Sequence, residues 1–327
     1  MNSINYFPLN RISKNIILID GISRTGKLLL GSLIASFDKM EHLEMGENFE
    51  YLLPAVKLKK IDINFANSYL NNYLNQLIYN KYISRNVNFR PNDRTGVGTS
   101  KNPKIYYDRL KLAEGDQVIK LIKKQKNYLP LITHDIAINL DILKKMKMNF
   151  KIVEILRNPV DTVYSWYKRG LGDRYANDQR IFTLLIKKNN KKYPWYNSLN
   201  GYSHKKYNSC EKCVEHVINL NINSNLNLKK NSLNKEILIT TYEALTTNTN
   251  KELKKISKFL GTKINKKTLE FIKRENLPLK NNPLETNKIF NKKINIIKKE
   301  CSKKMFEKLM NFNMNYKDNL YNLKVLK

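Results

Sequence analysis

Arg157 and Ser165 stand eight residues apart, directly after the apolar run Lys151–Leu156 (KIVEIL). The run has strand length, and Arg157-Asn158-Pro159 leads from it into a helix whose first turn accepts proline, because no N–H is needed there. Eight residues make about two helical turns, so a guanidinium folding back along that helix and the serine hydroxyl could share one anion. A planar fork plus a hydroxyl suits a phosphate monoester better than a flexible ammonium does. A second anion site is spelled near the amino terminus. Gly21-Ile22-Ser23-Arg24-Thr25-Gly26-Lys27 lies between the apolar Asn15–Asp20 (NIILID) and the helically spaced LLLGSLIASF. Glycines let such a loop turn tightly, while its N–H groups and the helix start point at negative charge.

The loop also fits all of a Walker A pattern except the last residue, where Leu28 replaces Ser or Thr. In nucleoside-triphosphatases that hydroxyl ligates Mg²⁺, so its absence counts against a magnesium-dependent kinase or NTPase, which stays as an alternative. Taken together, the two segments resemble the sulfotransferases that use 3′-phosphoadenosine 5′-phosphosulfate (PAPS). Gly21, Arg24, Thr25 and Gly26 match that family's loop, approximately G-x-x-[KR]-[ST]-G-[TS], which holds the 5′-phosphosulfate. Ser23 lies within the same loop, and Lys27 stands where the family usually has a small hydroxyl residue. Arg157 and Ser165 fall where the family makes its two 3′-phosphate contacts. A third match runs from Lys235 to Gly261: a strand ILITT, a Tyr242-Glu243-x-Leu corner that packs beneath the nucleotide, and a helix closing at Gly261.

The resemblance implies a sulfuryl transfer from PAPS to a hydroxyl or amine, with no metal needed and with Arg24, joined by Lys27, stabilising the departing bisphosphate. It offers two sources for the base. His134, closing YLPLITH, lies where the small-molecule branch keeps a Thr-His base, and an imidazole suits the task. Its plain alternative is a buried histidine bonded to Asp135 or the backbone. Glu47 and Glu50, in HLEMGENFEYLL, lie where tyrosylprotein and glycan sulfotransferases place a catalytic glutamate; the plain alternative is a solvated helix face.

The elements that must hold these residues follow from apolar patterning. Strands are expected at about 16–20, 128–133, 151–156 and 236–241, separated by helical patterns, which predicts a parallel sheet covered by helices. The fold class is α/β, and the resemblance specifies the P-loop-like three-layer sulfotransferase fold. One domain over residues 1–327 is expected, with insertions at 57–127 and 171–234 and a lysine-rich helical tail from about 287. Phe65, Tyr69, Tyr73, Leu74 and Leu77 form a stripe better suited to a core than to an acceptor platform. GLGDRYANDQR and KKYPWYNSLNGY are expected to be acceptor-side loops, with Trp195 and Tyr196 either stacking on a sugar or anchoring the loop.

Composition adds less. The net charge is +32, from 60 Lys plus Arg against 28 Asp plus Glu. Asparagine is abundant in the same stretches, which points to a compositional bias rather than to nucleic acid. A non-catalytic polyanion-binding protein remains a further alternative on charge alone. Three cysteines do not suggest a disulfide framework. Cys210 and Cys213, flanked by His204 and His216, share a helical stripe with Val214 and Val217 and are read as buried hydrophobes rather than metal ligands. No stretch reaches the roughly 20 apolar residues of a membrane span, and the amino terminus lacks a secretory pattern, so a cytoplasmic protein is expected. The expected acceptor is a carbohydrate or glycan, favoured over tyrosine or small phenols because the polar, aromatic-studded insertions are long, with a small hydroxyl compound as the other choice.

Overall fold

The computed structural model describes residues 5–175, 177–199, 206–231, 235–279, 283–323 and 325. In chain order the amino-terminal elements are β1 (Ile16–Asp20), α1 (Lys27–Ala35), β2 (Glu44–Met45), α2 (Glu47–Lys57), α3 (Ile63–Tyr82), α4 (Lys104–Arg109), α5 (Asp116–Gln125), β3 (Leu129–Ile132) and α6 (Leu140–Lys145). Next come β4 (Lys151–Leu156), α7 (Pro159–Lys168), α8 (Leu171–Arg174), β5 (Leu185–Lys188), β6 (Lys191–Pro194) and α9 (Ser209–Lys230). The carboxyl-terminal part contains β7 (Ile237–Thr241), α10 (Tyr242–Thr247), α11 (Thr249–Leu260), α12 (Lys266–Arg274), α13 (Pro283–Glu300), α14 (Lys303–Met314) and α15 (Tyr316–Asn322).

Five strands form one parallel sheet in the order β2-β3-β1-β4-β7. All five residues of β1 are buried, as a central strand covered on both faces requires. Alternation splits them: Ile16 and Leu18 enter one core with Phe49, Leu53, Leu70, Leu74 and Ile78 from α2 and α3. Ile17 and Ile19 enter the other with Leu30, Leu33 and Ile34 of α1 and Leu253 and Ile256 of α11. Helix, sheet and helix are therefore the three layers. A third cluster joins α7 and α9 to the tail through Val163, Trp166, Val217, Ile297 and Leu309.

This sheet order reverses direction at β1: the chain proceeds to β2 and β3 on one side and then to β4 and β7 on the other. Ligands of open α/β sheets bind outside the carboxyl ends of the strands at such a switch point. Every strand of the sheet ends beside a residue that the sequence marks as functional. The loop Gly21–Gly26 follows β1, Glu47 follows β2, His134 follows β3, Arg157 follows β4 and Tyr242 follows β7.

The four expected strands are present, with β3 and β7 one residue or more shorter than anticipated. The segment 171–199 is more ordered than loops alone, since β5 and β6 pair as an antiparallel hairpin. Trp195 and Tyr196 are buried, at 4% and 2% exposure, so they close a wall rather than present an open platform. Of the stripe on α3, Leu74 is fully buried and Tyr73 partly so, whereas Tyr69 is 43% exposed. Cys210 and Cys213 lie inside α9; Cys210 Sγ sits 3.3 Å from Cys301 Sγ. His216 is enclosed by the rings of Trp166, Tyr175 and Tyr196, and His204 lies outside the described residues.

Candidate active site

The amino-terminal loop is held in shape from behind. Gly26 adopts φ 100°, and a Cβ there would lie 2.5 Å from Cδ2 of Tyr242, so only glycine lets this ring support the loop. At Gly21, with φ 148°, a Cβ would lie 2.6 Å from the Ile155 carbonyl oxygen. Thr25 Oγ1 donates to the Ile22 carbonyl at 2.9 Å. The Lys27 side chain turns back beneath the loop, donating to the carbonyls of Gly21 and of Ile22, the latter at 2.9 Å. Burial pushes its ammonium below the ordinary lysine value, while Asp20, Asp135, Glu50 and Glu154 act in the opposite sense. Behind it, burial first and Asp20 second push the Glu154 carboxyl well above its usual range.

The second anion segment meets the first directly. Asn158 caps α7 by accepting from the N–H groups of Val160 and Asp161, and Pro159 occupies the first turn. Arg157 Nη1 donates to the Arg24 carbonyl at 2.9 Å, and its guanidinium lies 4.2 Å over the Tyr242 ring. The Arg157 Nε is buried with no partner among the described residues. Arg24 Nε donates to Ser165 Oγ at 3.1 Å. The Trp166 indole N–H donates to the Ser23 carbonyl at 2.8 Å, which ties α7 to the loop. Glu243 accepts from the Asn158 backbone N–H at 2.8 Å, so the Tyr242-Glu243 corner braces both segments.

Two cavities open on these residues. The larger, about 450 Å³, is lined by Arg24, Gly26, Lys27 and Arg157 and also by Arg94, Leu277 and Leu279. The smaller, about 150 Å³, is walled by Tyr51, Leu171, Tyr175, Trp195 and Tyr196. Ser23 and His134 line both.

His134 is not bonded as a lone core histidine. Its Nδ1 lies 2.8 Å from Glu50 Oε1, joining two of the three candidate bases in one pair. That leaves Nε2 as the free ring nitrogen, with the carboxylate fixing the ring as orienting groups do elsewhere. Glu47 begins the same helix with an exposed side chain; partial desolvation of its carboxyl and the neighbouring Glu50 and Glu44 raise it above the ordinary glutamate value. Asp135, next to His134, is suggested by the sequence only as a possible partner for that histidine, yet it lines the smaller cavity on its own account. Desolvation lifts its carboxyl to about 7, with Lys27 and His134 pulling the other way.

A family model described as a sulfotransferase domain matches residues 15–319. The chain belongs to the sulfotransferase domain family. It is similar to the sulfotransferase domain from the Curacin biosynthetic pathway, at 17% identity and a TM-score of 0.42, covering 80% of this chain and 78% of that one. It is similar also to the sulfotransferase domain from the Synechococcus PCC 7002 olefin synthase, at 14% identity and a TM-score of 0.41, covering 83% and 79%. Mouse sulfotransferase SULT7A1 complexed with PAP matches at 15% identity and a TM-score of 0.40, covering 96% and 89%. No curated protein sequence matches. As a PAPS-dependent sulfotransferase, the chain moves a sulfuryl group from PAPS to an acceptor. Among the described residues of this sulfotransferase, no helix is long and apolar enough to cross a membrane.

Proposed function

We propose that the chain acts as one sulfotransferase domain that binds PAPS in the larger cavity and sulfates a small hydroxyl compound in the smaller one. The observation that carries this reading is the position of His134 on the wall shared by the two cavities. The fit to the donor is supported at both ends. Gly21 and Gly26 let the loop turn tightly against Ile155 and Tyr242, a shape that suits backbone N–H groups to the 5′-phosphosulfate, with Ser23, Arg24 and Thr25 around it. Arg157 brings an unpaired buried Nε and Ser165 a hydroxyl, which suit the 3′-phosphate. Lys27 we assign to holding the loop carbonyls while adding positive charge behind the departing bisphosphate.

In the transfer, the acceptor oxygen bonds to sulfur as the bond from sulfur to the bridging phosphate oxygen breaks, and the acceptor proton must leave. His134 is assigned to take that proton at Nε2, with Glu50 fixing the ring through Nδ1. The imidazolium so formed keeps its Nδ1 within hydrogen-bond distance of Glu50 Oε1. Positive charge from Arg24 and Arg157 meets the negative charge growing on the leaving group.

A small acceptor is favoured over an extended glycan by volume. About 150 Å³ is well below the roughly 300–1,000 Å³ of sites that enclose drug-sized ligands. The test is transfer from labelled PAPS to a panel of phenols, short alcohols and oligosaccharides at equal concentration. Labelling of small hydroxyl compounds supports the reading; labelling confined to oligosaccharides overturns the choice of acceptor.

A further inference from the structure

The carboxyl-terminal helices meet α9 at a pair of thiols. Cys301 lies between α13 and α14 and Cys210 in the first turn of α9; their sulfurs are 3.3 Å apart, although 91 positions separate them in the chain. A disulfide is about 2.05 Å long, so a small closing shift would bring the two to bonding distance. The joint around them is braced on both sides. Asn208 Nδ2 donates to the Glu300 carbonyl at 2.9 Å, and Glu211 Oε1 accepts from the Ser302 backbone N–H at 3.1 Å. The neighbours of Cys301 are thus tied to the start of α9, which keeps the sulfurs facing one another.

The two thiols differ in access and in acidity. Cys210 is buried, whereas Cys301 is partly exposed. The hydrogen bond with Cys210 lowers the Cys301 thiol below the ordinary cysteine value, against burial and the carboxylates of Glu211 and Glu300, and the same bond raises Cys210. The thiolate therefore forms first at the sulfur that solvent reaches, beside the start of α14, where helix N–H groups favour negative charge. The third cysteine, Cys213, is fully buried against Gly172, and burial pushes its thiol up to about 12. An accessible thiolate backed by a second thiol is the arrangement of a redox-responsive pair.

Independently of the donor and acceptor readings, we infer that Cys301 and Cys210 form a redox site that reacts with hydroperoxides and closes a reversible disulfide, fastening the α13–α14 tail to α9. The Cys301 thiolate attacks one peroxide oxygen, the O–O bond breaks and hydroxide leaves, giving a sulfenic acid. Cys210 sulfur then attacks Cys301 sulfur, the S–O bond breaks, and the Cys210 thiol proton leaves with the hydroxide as water. Two thiols and one peroxide become one disulfide and two waters. A dithiol reverses the change and is itself oxidised to a disulfide. The fastened tail bears on α7, because Lys293 of α13 pairs with Asp161 and Ile297 packs in one cluster with Val163. Ser165 lies on that same helix.

The test treats full-length protein with a slight excess of hydrogen peroxide, blocks the remaining thiols with iodoacetamide and reads masses. The wild type is expected to stay monomeric, to lose the mass of two hydrogen atoms and to yield a peptide joining Cys210 to Cys301, and dithiothreitol should reverse both changes. Oxidised protein should unfold several degrees above reduced protein, since the link closes a long stretch of chain. Cys301→Ser should show neither the link nor the rise, whereas Cys213→Ala should keep both. Should Cys213→Ala fail to fold, the wild-type peptide map still tells the pairs apart. A link between Cys210 and Cys213, a dimer joined through Cys301, oxidation that stops at a sulfenic or sulfinic acid, no reaction at all, or a disulfide that leaves the unfolding temperature unchanged overturns the inference.

Discussion

His134 Nδ1 lies 2.8 Å from Glu50 Oε1, although the two residues are 84 positions apart. The pair makes imidazole and carboxylate one unit, so their substitutions should not add. His134→Ala is expected to lower turnover by about 10² to 10⁴-fold, the range for losing general-base catalysis, with bisphosphate affinity retained. Glu50→Gln should cost less, and His134→Ala/Glu50→Gln little more than His134→Ala alone. Glu47→Gln, at an exposed position on the same helix, should leave turnover within about threefold of wild type if Glu50 is the only working partner. Turnover at saturating donor, with folding checked by circular dichroism, decides; additive losses would mean that the residues act separately.

Arg157 links the two anion segments through the Arg24 carbonyl and Tyr242. Its replacement by Ala should weaken binding of adenosine 3′,5′-bisphosphate by at least about 1.5 kcal/mol, the lower end for a hydrogen bond to a charged group. Binding of the 5′-monophosphate should change much less. Calorimetry with both nucleotides separates the outcomes, and equal losses would show that Arg157 supports the loop rather than the 3′-phosphate.

The donor half of the site was legible because its signals are local. A strand, a glycine-bounded loop and a helix follow one another within residues 15–36, and Ser165 lies on the capped helix that Arg157 leads into. The parallel sheet and four of its five strands followed from the same apolar runs, whereas the two-residue β2 is too short to leave such a run. The acceptor half was less legible, because its contacts join distant segments: Glu50 reaches His134 across 84 residues, and Tyr196 and Asp135 share a cavity only after the β5–β6 hairpin folds back. Asp135 carried one usable signal, a charged residue three positions beyond the end of β3. Lys27 was expected at the phosphate, and nothing in its spacing indicated that its ammonium would turn to the loop carbonyls.

Gly26 tests whether the loop needs its backbone geometry. At φ 100°, with Tyr242 Cδ2 only 2.5 Å from where an alanine methyl would sit, Gly26→Ala should cost about 1–2 kcal/mol from backbone strain alone and should displace either the loop or the ring. Bisphosphate affinity is expected to fall with stability, since Tyr242 also underlies Arg157. Chemical denaturation and calorimetry on the same variant check both. Unchanged affinity with lowered stability would mean that the loop adapts and that its native shape is not what holds the anion.

Asp135 gives the fold a pH dependence of definite sign. Desolvation raises its carboxyl to about 7 in the folded protein, above the roughly 3.9 of an unfolded aspartate. Between those values the folded state binds more protons than the unfolded state, so this residue makes the protein less stable as pH rises from about 4 to about 7. Its unfavourable contribution is absent at the low end and full above the high end. Asp135→Asn removes the titration, so its stability relative to wild type should increase between pH 5 and pH 8. Lys27 and His134 face the same carboxyl and partly offset the burial, and both remain in the variant, so the measurement compares two proteins at matched pH. Urea denaturation at pH 5, 6.5 and 8 supplies it. A stability difference that stays constant or shrinks across that range would show that Asp135 is ionised throughout, its burial outweighed by the lysine and histidine beside it.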